Sequence, residues 1–149
     1  MVSRAAARLA ASFLLLLAAC GGGRPYDALS EACVEHINSL RASVGLGPLS
    51  RWKDAESCAD SQAESDSETR QAHSAFWRCK EPAQNECPGT SWRSMTGPAG
   101  IVPGCLDRMW SQGPGEDHHD AMASTSFTMV ACGFHQTSSG EVWAVQDYR

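Results

Sequence analysis

The chain lacks any run of basic residues, holding only twelve lysines and arginines in 149 positions against seventeen aspartates and glutamates, for a formal charge of -5. Holding a phosphate backbone needs a clustered cationic face, so nucleic acid is not an expected partner. No Cys-x-x-Cys pair is present. That removes the usual frame of a zinc knuckle or a thioredoxin-like redox site. There is no Gly-x-Ser-x-Gly nucleophile elbow and no internal repeat. The longest apolar run falls short of the roughly 20 residues that span a bilayer comfortably. The length fits one domain, because two would each be too small to bury a good core.

What the chain does have begins at its N-terminus. Arg4 and Arg8 precede a stretch of apolar and small residues, Leu9 to Ala19, that ends in Leu17-Ala18-Ala19-Cys20. Residues 1–19 read as an export signal peptide. The ending resembles a bacterial lipobox, which implies an acylated Cys20 as the mature first residue. Residues 20–28, with Gly21-Gly22-Gly23, then form a lipidated N-terminus and flexible tether, and 29–149 the domain. The expected location is the bacterial cell envelope, with the membrane as partner through the lipid anchor. Removing the leader takes two of the twelve basic residues and none of the seventeen acidic ones, leaving a domain of formal charge -7.

Besides Cys20, six cysteines remain: Cys33, Cys58, Cys79, Cys87, Cys105 and Cys132. An even set in an exported domain reads as three disulfides. Cys33, Ile37, Leu40 and Val44 recur at helical spacing, which predicts a helix over about 30–43 ended by Gly45. A second helix is expected over about 52–65, with a small-sided buried stripe of Ala55, Cys58 or Ala59, and Gln62 or Ala63. Cys33 and Cys58 lie on the buried stripes of their helices, so a Cys33–Cys58 bridge is expected. Cys79–Cys87 would clamp a short loop, and Cys105–Cys132 would join a third helix, about 102–110, to a C-terminal hairpin. The hairpin alternates around Phe127, Met129 and Ala131, turns at 137–140 and resumes at Val142. Residues 66–100 show no clear periodicity.

Several local patterns recur in a telling order: Asn38-x-x-Arg41, Gly45, Pro48-Leu49, Trp52, His73-Ser74, Asn85-Glu86, Met109-Trp110, His118 with Met122 and Phe127, Val130 to Phe134, and Val142 to Gln146. Over about Leu29 to Tyr148 they resemble the CAP superfamily, that of cysteine-rich secretory proteins, antigen 5 and pathogenesis-related 1 proteins. The resemblance implies an α+β fold, an α-β-α sandwich with a central antiparallel sheet between helical layers, here disulfide-stapled, with a large cleft on one face. It also implies a cleft of two histidines and two glutamates able to hold a divalent cation. On this chain the histidines fall on His73 and His118 and the first glutamate on Glu86. The place of the second glutamate holds Gln112. A neutral amide supplies neither charge for a cation nor a general base, so either Glu116 takes over or the site is incomplete.

Read without the family, His73, Glu86 and the segment Asp117-His118-His119-Asp120 offer the donor types that zinc takes. The same segment also reads as a solvated loop. No cofactor is required, and zinc would bind weakly. Trp77, Trp92 and Trp110 are read as core or cleft wall. The function expected is that of a non-enzymatic, surface-anchored module whose cleft takes a small apolar or lipidic ligand, a peptide or a divalent cation. The alternative is a hydrolase using a His/Glu site, with a serine such as Ser74 or Ser124 as nucleophile.

Overall fold

The computed structural model describes residues 24–91 and 98–149; the leader, Cys20, the glycine run and Trp92 lie outside them. In chain order the elements are α1 (Asp27–Ser43), β1 (Ser50–Arg51), α2 (Lys53–Thr69), β2 (Ala83–Ser91), α3 (Pro98–Trp110), α4 (Asp117–Ala123), β3 (Met129–Gln136) and β4 (Glu141–Tyr148). The helix expected over 30–43 starts at Asp27, and Arg24 is held by Glu56 and Asp60 at 2.5 and 2.7 Å. Ordered structure therefore begins ahead of Leu29. Gly45, at φ +78°, ends α1 in a Schellman turn: Leu46 N–H donates to Arg41 C=O and Gly45 N–H to Ala42 C=O.

The strands are ordered β1-β3-β4-β2. β4 pairs antiparallel with both β3 and β2, while the two-residue β1 runs parallel to β3, so the sheet is mixed rather than wholly antiparallel. Successive side chains of a strand point to opposite faces. Cys132 is bridged to Cys33 of α1, and the neighbouring Gly133 lies against Ala59 of α2, which places α1 and α2 on opposite faces. α3 packs on α1, so the layers are α2, the sheet, and α1 with α3 and α4. The main apolar core, including Ile37, Leu106, Met109, Met122, Phe134 and Tyr148, fills the second of these interfaces. On the α2 side only Ala63, Trp143 and Val145 form a small cluster.

Beyond β1, the outer edge of β3 is closed by one backbone N–H and three side chains rather than by a strand. Trp52 N–H donates to Val130 C=O, Ser30 Oγ to Cys132 C=O at 2.7 Å, Phe134 N–H to Asp60 Oδ1 at 2.8 Å, and Gln136 N–H to Tyr26 Oη at 3.2 Å. Alternate residues along one edge are thus satisfied in turn, as buried backbone groups require.

β2 breaks the expectation of an irregular 66–100 segment. Thr90 is its one β-branched residue and it has no aromatic side chain of the kind that marks strands, and Pro88 sits at the irregularity between Cys87 and Thr90, which an edge strand tolerates. The six cysteines do form three bridges, but each expected pairing is replaced: they are Cys33–Cys132, Cys58–Cys79 and Cys87–Cys105. Cys33–Cys58 fails because the sheet separates α1 from α2. Cys79 instead ties the turn after α2 back to that helix, and Cys87 ties β2 to α3, which leaves neither the loop clamp Cys79–Cys87 nor Cys105–Cys132.

Non-reducing peptide mapping should return these three linkages; a Cys33–Cys58 peptide would contradict the layer order. Replacing both Cys33 and Cys132 by Ala should lower stability by about 4 kcal/mol, more than removal of either shorter loop, because the bridge closes 99 residues.

Candidate functional site

After α2 the chain turns through residues 71–80, and four non-glycine residues, Arg70, His73, Trp77 and Lys80, adopt positive φ between 56° and 71°. Left-handed backbone at such residues is strained and persists only when surroundings hold it. The holding groups are buried carboxylates. His73 N–H donates to Glu86 Oε2 at 2.6 Å, Ala75 N–H to Asp66 Oδ1 at 2.8 Å, and Trp77 N–H to Glu81 Oε1 at 2.6 Å. Ser74 Oγ adds a bond to Asp66 Oδ1 at 2.5 Å, and Gln62 Nε2 one to Glu81 Oε1 at 2.6 Å. Gln84 Nε2 donates to a fourth buried acid, Asp147 Oδ1, at 2.9 Å. All four carboxylates are 4% exposed or less. Burial pushes Glu86 up to about 8 and Asp147 up to about 7, each reinforced by the neighbouring acids.

The strained turn carries one wall of a cleft along the free edge of β2, and α4 carries the other. A cavity of about 280 Å³ is lined by His73, Phe76, Gln84, Asp117 and His118. It adjoins an open groove of about 510 Å³ that shares Phe76, Gln84 and Asp117 and adds Pro82, Ala83, Ala121, Ser124 and Phe127 among others. Each histidine is held by a glutamine: His73 Nδ1 to Gln84 Oε1 at 2.8 Å, and His118 Nδ1 to Gln112 Oε1 at 3.0 Å. With the amide oxygen accepting, Nδ1 is the donor in both pairs. Asn85 Nδ2 fixes α4 to the sheet by donating to His118 C=O at 2.9 Å.

The structure thus brings His73 and His118 to one cavity and Gln112 onto His118. It places Glu86 elsewhere: the carboxylate lies under the turn with a fully buried side chain, 3.8 Å from the His73 ring. Gln84, two residues earlier on the same face of β2, occupies the position beside the imidazole. Both expected carboxylate positions are therefore amides. Among the described residues the one set of three ligating groups within 4.8 Å of one another is Cys79, Glu81 and Asp147, so His73, Glu86 and His118 do not converge. Two imidazoles and two neutral amides do not make the His/Glu zinc site. Residues 117–120 form the first turn of α4, not a loop. Within it His119 packs on the Trp110 ring at 4.6 Å, and the side chain of Glu116 has no cap contact. Trp77 is 60% exposed, so it is not core.

Sequence reasoning missed Asp66, Glu81 and Asp147. The signal was faint: Asp66 continues the stripe Ala55-Ala59-Gln62-Ala63 by three and four residues, a polar residue in step with a buried face.

Among proteins of known fold, the structure is similar to Na-ASP-1 at a TM-score of 0.58 and 13% identity, covering 82% of this chain and 38% of that one. The chain therefore spans less than two-fifths of that protein. It is similar also to an outer surface protein from Borrelia burgdorferi, at a TM-score of 0.58 and 17% identity, over 85% of this chain and 96% of that one. No curated protein matches the sequence. The model of the cysteine-rich secretory protein family, CAP, matches residues 34–148.

Glu86 and Asp147 unfold to carboxyls with ordinary values of 4.5 and 3.8. Between those values and about 7 to 8 the folded state holds protons that the unfolded state has released. Stability should therefore be greatest at acid pH and fall as pH rises through about 8. Urea unfolding across pH 5 to 9 in metal-free buffer checks this, and Glu86→Gln should flatten the upper part of the fall. Stability that rises over this range would contradict it.

Proposed function

Since the chain belongs to the cysteine-rich secretory protein family, we propose that it is an exported, lipid-anchored CAP module that binds a small amphipathic ligand in its cleft and performs no catalysis on it. The observation that carries this reading is the composition of the cleft. Phe76, Pro82, Ala83, Ala121 and Phe127 supply an apolar wall, while His73, Gln84 and His118 gather polar atoms at one end. Such a gradient suits a ligand with an apolar body and a polar head, the common form of a small-molecule site.

The chemistry of the histidines supports binding over hydrolysis. Among the described residues no serine hydroxyl is hydrogen-bonded to an imidazole: Ser74 Oγ is turned to Asp66, and Ser124 Oγ accepts from Ser126 N–H. Besides Cys20, all six cysteines are in disulfides. The glutamines that orient His73 and His118 do not stabilise an imidazolium as a carboxylate would, and that stabilisation is what a general base needs during acyl transfer. Export and anchoring rest on the leader and on Leu17-Ala18-Ala19-Cys20, and three disulfides accord with an oxidising compartment.

Titration of the mature protein with dansylated undecanoic acid tests the cleft. Saturable binding is expected, weakened about tenfold by Phe76→Asp and by His118→Ala. Affinity unchanged from that of the unmutated protein in both variants would place the probe elsewhere. Fractionation of cells expressing Cys20→Ser tests the anchor: the variant should leave the membrane fraction, and its retention there would refute lipidation at Cys20.

A further inference from the structure

The molecule treats its buried acids in two ways. Glu56 of α2 is 1% exposed and clamped by Arg24 at 2.5 Å and Arg51 at 2.6 Å. Asp66, Glu81, Glu86 and Asp147 receive no such partner. Among the described residues the one basic nitrogen within 4.0 Å of any of them is His73 Nδ1, 3.8 Å from Glu86. Their donors are backbone N–H groups of the 71–80 turn and side-chain groups of Gln62, Ser74 and Gln84. Each acid keeps a wholly buried oxygen with no hydrogen-bond partner: Asp66 Oδ2, Glu81 Oε2, Glu86 Oε1 and Asp147 Oδ2. Uncompensated charge of this kind is too costly to bury unless protons or a cation neutralise it.

A further group points to a cation. Gln62 is wholly buried, and its Nε2 fixes the amide against Glu81 at 2.6 Å. The second donor bond of that nitrogen goes to Ala75 C=O at 3.0 Å, and Gln62 Oε1 has no partner. A neutral side chain bonded to Glu81 thus keeps a buried oxygen of its own free. At this end of the cluster the ligand atoms of Glu81, Asp147 and Cys79 lie within 4.8 Å of one another. Cys79 is bonded to Cys58, and a disulfide sulfur lacks the charge of a thiolate. What is left is an all-oxygen set, the chemistry of a hard cation rather than of zinc or copper.

We propose that Glu81, Asp147 and Gln62 hold a divalent cation of the calcium class beneath the 71–80 turn, with Asp66 and Glu86 contributing negative charge beside it. Glu81 also receives Trp77 N–H, so a cation there braces the strained turn that carries His73 and Phe76 into the cleft. The site is separate from the imidazoles and stands whatever the cleft binds.

Native mass spectrometry and thermal unfolding of the mature protein, stripped with EDTA and then titrated with calcium chloride at pH 7.5, test it. One calcium per chain is expected, with a Tm higher by about 5 to 10 °C at saturation. Glu81→Gln and Asp147→Asn should each weaken calcium binding at least about tenfold, whereas Glu64→Gln, an exposed acid on α2, should leave it unchanged. Terbium luminescence excited through tryptophan in the unmutated protein, and quenched by calcium, gives a second readout that needs no core variant to fold. A stripped protein that takes up neither calcium nor terbium at millimolar concentration, or a calcium effect that persists in both core variants, would overturn the proposal.

Discussion

The rest of the structure hangs on how closely α2 lies across β3. A Cβ built on Gly133 would stand 2.1 Å from the Ala59 carbonyl carbon and 2.4 Å from Asp60 N, so helix and strand backbones touch where any side chain would part them. Ala55, Ala59 and Ala63 give the helix the matching flat face. At this distance short side chains on α2 can reach the sheet. Asp60 caps Phe134 N–H on the outer edge of β3 and at the same time takes Arg24 from the N-terminal segment. Two turns on, Asp66 is set under the cleft turn. The anchor of the N-terminus and the wall of the cleft are both consequences of one helix-to-strand contact.

That closeness shapes the energetics. Small residues bury little apolar area, so the α2 face of the sheet gains less from water exclusion than the face covered by α1, α3 and α4. The space near β2 is filled instead by Gln62, Asp66, Glu81, Glu86 and Asp147, a polar interior whose carboxylates hold a backbone in the left-handed region. Such an arrangement favours a defined shape over stability. The three disulfides offset part of the deficit, and Cys58–Cys79 does so where it is needed, pinning the strained turn to the helix before it.

The parts of the molecule legible in its sequence were those with a regular period. The apolar spacing of Cys33 and Ile37 marks α1, and alternation after Met129 marks the hairpin; the order of short motifs marks the family. β2 was hidden because its two faces meet different neighbours: Asn85 and Cys87 turn toward α4 and α3, while Gln84 and Glu86 turn toward the polar interior, so no alternation of apolar and polar survives. The disulfide pairing was hidden because helical stripes say which side of a helix is buried, not which face of the sheet covers it. The site was half legible. His73 and His118 were assigned to the cleft that they do line, and Gln112 to the place of the family's second glutamate, from which it reaches His118. Glu86 was matched to the family's first glutamate through Asn85-Glu86, whereas the residue hydrogen-bonded to the His73 ring is Gln84, two residues earlier on the same face of the strand.

The most direct measurement of this account is the thermal unfolding of Gly133→Ala, followed by titration of the same variant with the cleft probe. The clash is with helix backbone, which has no rotamer to relieve it, so a loss of more than about 3 kcal/mol is predicted, with probe binding lost along with the fold or strongly weakened in what remains folded. A Gly133→Ala protein that unfolds at the temperature of the unmutated chain and binds the probe equally well would show that α2 does not sit against β3 as described, and that the cleft owes its shape to something else.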